Sequence, residues 1–268
     1  MSLQPRSEEM VVVEFQSYLP GTPSWVDLSS PDLAGAKAFY GALFGWEATE
    51  GSPEVGGYCM FRKGAKNVAG LGPVMDERQT PAWMTYVSVH SVDATLAKVT
   101  AAGGTVLVEP LDVLDVGRMA VLIDPTGAAL ALWQPRSHRG ADLANEPGAF
   151  TWNELQTRDT ETAKSFYQAV FDWGVSTRHD GPVVYTEWKR GDDSVGGMME
   201  MPAEVPPQIP AYWLVYFAVD DCEATVATAT RLGGAALVAP MDVAPGRFAV
   251  LSDPTGAVFS VIKMNAPG

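Results

Sequence analysis

Ala36–Trp46 reads AKAFYGALFGW, and Ala163–Trp173 reads AKSFYQAVFDW; seven of the eleven positions coincide at an offset of 127. Further along, Gly117–Ala128 reads GRMAVLIDPTGA and Gly246–Ala257 reads GRFAVLSDPTGA, with ten of twelve matching at an offset of 129. Gly103-Gly104 answers Gly233-Gly234 at an offset of 130. Loop insertions give this small drift, and so long a period marks a duplicated domain rather than a solenoid unit. The 268 residues suffice for two domains of ordinary size. Between the copies, residues 135–148 read PRSHRGADLANEPG, polar and rich in breakers, as a linker does.

Within each copy the pattern runs twice. Ser24–Leu28 is a short strand candidate, and Asp32 is placed to cap a helix. Leu33, Ala36, Tyr40, Leu43 and Phe44 then recur at helical spacing, and Gly45 follows at the end. Strands are expected through Tyr58–Arg62 and Ala69–Met75. After Pro81 the order restarts, with a strand at Met84–Val89, a helix at Val92–Ala102, and strands at Thr105–Val108, Arg118–Ile123 and Ala128–Gln134. The turn Asp124-Pro125-Thr126-Gly127 joins the last two. We therefore expect an α+β chain of four strand–helix–multistrand modules. The expected boundaries are a tail over 1–22, a first domain over 23–136, a linker over 137–148 and a second domain over 149–266.

Composition narrows the function. The formal net charge is −14, divided as −5 before Gly140 and −9 after it, with no cluster of Lys and Arg. A polyanion partner needs such a cluster to displace counterions, so neither nucleic acid nor an anionic membrane is expected as a partner. No apolar run reaches the roughly 20 residues of a membrane span, and the start of the chain shows no signal-peptide core. Cys59 and Cys222 occupy non-equivalent places in the repeat and suggest no disulfide. A cytoplasmic location is expected.

Paired modules of this kind resemble the vicinal oxygen chelate (glyoxalase/bleomycin-resistance/dioxygenase) superfamily. The resemblance is carried by Pro31-Asp32-Leu33, Ala38-Phe39-Tyr40 and Leu43-Phe44-Gly45-Trp46 around the first helix, and by the turns Asp124–Gly127 and Asp253–Gly256. It covers nearly the whole chain, Pro23–Pro135 and Phe150–Met264. It implies two cup-shaped sheets, each built from two modules, with small ligands bound inside. Its metal-ligand positions fall here on Trp25, Gly70, Met84 and Ala131, and on Trp152, Gly197, Leu214 and Ser260. None is His, Glu, Asp or Cys, the side chains that would hold a divalent transition metal. No metal and no cofactor is therefore expected.

Strand alternation puts Asp27 on the face of Trp25, and Glu154 on that of Trp152. Met84 and Tyr86 join the first face, Leu214 and Tyr216 the second, and Trp133 ends the last strand of the first copy. These nine residues are the candidate ligand contacts, with Asp27 and Glu154 the catalytic candidates. A carboxylate in an aromatic cup holds its proton more tightly and can act as a base near neutral pH. The competing view is that each Trp closes its cup and each acid accepts a hydrogen bond from Tyr86 or pairs with Arg118. Tyr58 and Tyr185, which also repeat, read as strand packing residues, and His90 as a solvated helix start. Three functions stay open: metal-independent binding of a small aromatic or amphipathic molecule, a superfamily enzyme with a divergent site, or an interaction protein with filled cups. Since one chain carries all four modules, a monomer or weak homodimer is expected.

Overall fold

The computed structural model describes residues 17–76, 79–180 and 183–265. The first copy holds β1 (Pro23–Ser30), α1 (Leu33–Phe44), β2 (Glu47–Ala48), β3 (Cys59–Lys63) and β4 (Lys66–Pro73). Its second module is β5 (Ala82–Ser88), α2 (Val92–Ala101), β6 (Thr105–Val113), β7 (Gly117–Ile123) and β8 (Ala129–Pro135). The second copy repeats the order with β9 (Phe150–Thr157), α3 (Thr160–Phe171), β10 (Gly174–Asp180), β11 (Val183–Arg190) and β12 (Asp193–Glu200). It closes with β13 (Tyr212–Ala218), α4 (Cys222–Arg231), β14 (Ala235–Val243), β15 (Gly246–Ser252) and β16 (Val258–Met264). Among the described residues no helix is long and apolar enough to cross a membrane.

Each copy forms one eight-stranded sheet, ordered β2-β3-β4-β1-β5-β8-β7-β6 in the first and β10-β11-β12-β9-β13-β16-β15-β14 in the second. The first strand of each module pairs in parallel with its last, β1 with β4 and β5 with β8, and the modules join through antiparallel β1 and β5. This brings β1, β4, β5 and β8 side by side, so their alternate residues converge on one concave face. The helix starts follow the sequence: Asp32 accepts from Gly35 N at 2.9 Å, and Gly45 closes α1 in the left-handed region.

One strand departs from expectation. β6 does not stop at Val108 but runs on to Val113, through two register shifts against β7. Pro110 lacks an N–H and reads as a breaker, but β6 lies at the sheet edge, where irregular pairing accommodates it.

The helix-bearing faces pack against each other across the repeat. Tyr40, Phe44, Trp46 and Trp83 share one core with Phe217 and Phe259 of the second copy. Phe166, Tyr167, Trp173 and Trp213 pack with Leu122 and Leu130 of the first. The repeated tyrosines make the union specific. Tyr40 Oη donates to Asp253 Oδ2 at 3.2 Å and accepts from Trp83 Nε1 at 3.0 Å. Tyr167 Oη donates to Asp124 Oδ2 at 2.8 Å and accepts from Trp213 Nε1 at 2.9 Å. The other oxygen of each aspartate caps its own turn, taking Thr126 N and Ala128 N in one copy, Thr255 N and Ala257 N in the other. The Asp-Pro-Thr-Gly turn thus also ties the two sheets back to back, leaving both concave faces pointing outward.

Candidate functional site

The register builds each cup row by row. Asp27 lies between Gly70 and Met84, while Trp25 pairs with Tyr86, which pairs with Ala131. In the second cup Glu154 lies between Gly197 and Leu214, and Trp152 pairs with Tyr216, which pairs with Ser260. The nine sequence candidates and the eight metal-equivalent positions therefore share the two concave faces. Val26 and Leu28 point the other way and are fully buried against the helices.

At the floor of the first cup, Asp27 Oδ2 accepts from Tyr86 Oη at 2.8 Å and from Tyr58 Oη at 3.1 Å. Tyr58 in turn accepts from Trp25 Nε1 at 3.0 Å. Burial raises the Asp27 pKa from 3.8 to about 6, against the pull of the two tyrosine hydrogen bonds. In the second cup Glu154 Oε1 accepts from Tyr216 Oη at 2.9 Å and from Gln156 Nε2 at 2.6 Å. Trp152 Nε1 donates to Tyr185 Oη at 2.8 Å. Burial raises the Glu154 pKa too, opposed by hydrogen bonds from Tyr185, Tyr216 and Gln156.

One sequence expectation needs correction. Tyr58 and Tyr185 are not merely strand packing; each bridges the tryptophan and the carboxylate of its cup. Their repetition at the same offset as the acids was the available signal. Of the two arrangements expected for the acids, the hydrogen bond from Tyr86 is the one present, and Arg118 is an ion-paired hairpin residue bound to Asp93 and Asp112 on the surface. His90 is exposed at the end of β5, as expected.

The donor set does not fit the superfamily's metal. A Cβ built on Gly70 would stand 1.8 Å from Tyr58 Oη, and one on Gly197 would stand 2.0 Å from Tyr185 Oη. Each glycine makes room for a tyrosine to lie across the strand where a ligating side chain would project. Among the described residues no three His, Cys, Asp or Glu side chains converge as a metal site.

The cups differ above this shared floor. In the first, the chain leaving β8 folds back over the mouth, and the His138 ring stands edge-on to Trp25 at 4.5 Å and to Trp133 at 5.6 Å between centroids. Trp133 Nε1 donates to His138 O at 2.9 Å, and Gly117 leaves the space its indole fills. Trp25 is left 3% exposed. In the sequence His138 lies in a polar linker, and nothing local marks it as part of a cup.

In the second cup Trp152 is half-buried, and one wall is apolar, with Phe248, Val250 and Ile262 beside Met241 and Val238, which are 47% and 38% exposed. The facing wall is polar. Arg178 lies over the Tyr185 ring at 5.4 Å and pairs with Glu187 at 3.0 Å, which also meets Lys189 at 3.1 Å.

The model of the Glyoxalase/Bleomycin resistance protein/Dioxygenase superfamily matches residues 22–132 and 149–261. A Mycobacterium tuberculosis protein named "Putative glyoxylase CFP32" is 44% identical over 257 residues, 92% of this chain and 96% of that one. "Anthracycline biosynthesis protein DnrV" from Streptomyces peucetius is 40% identical over 264 residues, 92% of this chain and 94% of its own. Among solved structures, a Mn(II)-bound glyoxalase from Novosphingobium aromaticivorans superposes with a TM-score of 0.65 at 18% identity, over 91% of this chain and 82% of its own. The 2,2',3-trihydroxybiphenyl 1,2-dioxygenase of Sphingomonas wittichii gives 0.64 at 13%, over 91% of each chain. At such identities these two share the fold alone.

Proposed function

We propose, for a chain that belongs to the Glyoxalase/Bleomycin resistance protein/Dioxygenase superfamily, that its second cup binds a small planar aromatic molecule without a metal. The observation carrying this reading is the half-buried Trp152 facing an exposed apolar wall, above a buried, hydrogen-bonded Glu154. A flat ring system would gain from covering Trp152, Phe248 and Met241, since aromatic and apolar surfaces leave water together. Polar substituents would meet the Arg178–Glu187–Lys189 wall. Anthracyclines are polycyclic aromatic phenols, so the name of the Streptomyces relative supports a ligand of that class. Each cup is built within one chain, so the working unit is a monomer or weak homodimer; the two unpaired cysteines suit a reducing cytoplasm.

The test is a titration with 1,4-dihydroxyanthraquinone, read by tryptophan fluorescence. Saturable quenching, weakened at least about tenfold in Trp152→Ala, supports the reading; tenfold corresponds to about 1.4 kcal/mol. Equal quenching in that variant overturns it.

A second reading, proton transfer by Glu154, is favoured by its raised proton affinity at the cup floor. It requires turnover of a bound phenol that Glu154→Gln abolishes while leaving the binding constant unchanged.

A further inference from the structure

We infer that the first cup is a second site for the same class of ligand, held shut by an internal lid over residues 136–140 with the His138 imidazole as its plug. The two copies differ at their repeated tryptophans. Trp25 and Trp152 occupy equivalent positions, yet an aromatic ring already stands against Trp25, at 4.5 Å. Trp152 stays half-buried, and among the described residues no ring stands against it as His138 does against Trp25.

That ring also fits its surroundings poorly. His138 Nε2 is closed off from solvent and has no hydrogen-bond partner in the protein. Burial lowers the imidazole's proton affinity, opposed by the charge of Asp142. A polar atom left unsatisfied in an apolar cup is poor packing for a core residue. An imidazole there occupies the place of a flat ligand ring without matching its surroundings as a structural side chain should.

The segment itself is fastened near the surface. Val116 O accepts from both Arg136 N and His138 N at 3.1 Å, Trp133 Nε1 holds the His138 carbonyl, and Arg136 pairs with Asp112 at 2.8 Å. The firm anchors begin only beyond the lid, where Ala141 N donates to Ser24 O and Asp142 N to Asn67 O, both at 2.8 Å. Gly140, at φ +121°, is the joint between them. A side chain there would be strained and would strike Ser24 O. Lid opening therefore breaks bonds that include the two shared backbone hydrogen bonds, the Trp133 indole bond, the exposed Arg136–Asp112 ion pair, and the long 3.5 Å bonds of Arg136 Nη1 to Leu114 O and Ser137 Oγ to Asp115 O, while the anchors from Ala141 onward stay in place. It uncovers Trp25, Trp133 and the Asp27–Tyr58–Tyr86 floor, the counterpart of what the second cup presents.

This inference takes its ligand class from the proposed function, but the count of sites separates the two. The experiment is equilibrium dialysis of the intact chain against 2-naphthol, with thermal melting to establish that each variant is folded. Wild type should bind one molecule per chain, His138→Gly two, and His138→Phe, which keeps a ring in the cup, one. A folded His138→Gly that binds only one molecule overturns the lid and leaves the second-cup site standing. No binding by wild type but one molecule on His138→Gly supports the lid and sinks the second-cup reading. No binding to either sinks both. Two molecules on wild type show that the cup was never shut, which overturns the plug.

Discussion

The two cups share a floor and differ in their mouths. Both carry a tryptophan bonded to a tyrosine, and a carboxylate taking tyrosine hydroxyls, above a glycine that yields its side-chain space. In the first, His138 and Trp133 complete an aromatic enclosure, and Trp25 is core. In the second, Ile262 takes the place of Trp133, Trp152 is half-buried, and an ion-paired wall faces an apolar one. Duplication conserved the buried hydrogen-bonded floor and let the rims diverge. Changing a floor residue leaves a buried partner unsatisfied, while a rim residue answers mainly to whatever fills the cup.

The widest gap between the cups should come from the tryptophans. Trp25→Ala removes a buried indole and the partner of Tyr58, and should cost about 3–5 kcal/mol in chemical denaturation. Trp152→Ala should cost less than half as much and act instead on ligand affinity. Equal losses would erase the distinction between a closed and an open cup.

Asp27 offers a pH test of the closed cup. Its folded pKa, about 6, lies above the ordinary 3.8, so the folded state binds the proton more tightly. The associated stability is fully present below the unfolded pKa and is lost as pH rises through about 6. With 1.36 kcal/mol per unit, the loss is at most about 3 kcal/mol. The stability difference between wild type and Asp27→Asn should therefore shift in favour of the variant between pH 4 and 7. A difference that stays flat would mean that water reaches the carboxylate.

The glycines sharpen the contrast further. Gly70→Ala forces Tyr58 off Asp27 inside a closed cup and should cost about 2–3 kcal/mol, as overpacking does. Gly197→Ala presses on Tyr185 and on the half-buried Trp152, which has room to shift in the open cup, and should cost about 1 kcal/mol. The reverse order, measured by urea unfolding, would show that the second cup is the tighter one.

The smallest effect is expected from chelator. A metal that binds only the folded state raises stability by mass action, and neither cup presents ligands to hold one. Excess EDTA should move the melting temperature by less than about 1 °C. A larger drop would show that the tyrosine-filled glycine positions do not exclude metal.

The amino-acid sequence by itself determined the duplication, the module order, the helix caps and the alternation that turns Trp25, Asp27, Trp152 and Glu154 onto the concave faces. These are local or periodic properties, written in residues a few positions apart. It did not show that β6 continues through Pro110, because edge pairing depends on the neighbouring strand. Nor did it show that Asp124 and Asp253 receive tyrosines from the opposite copy, 43 and 213 positions away. His138 is the clearest case. In sequence it is one polar residue in a linker; in space it is the ring that closes a cup, because the path of the chain after β8 carries it back over Trp25. Spacing along a chain fixes which face a side chain takes, but what that face meets is set by packing between segments distant in sequence, and only the tertiary structure decided which cup stays open.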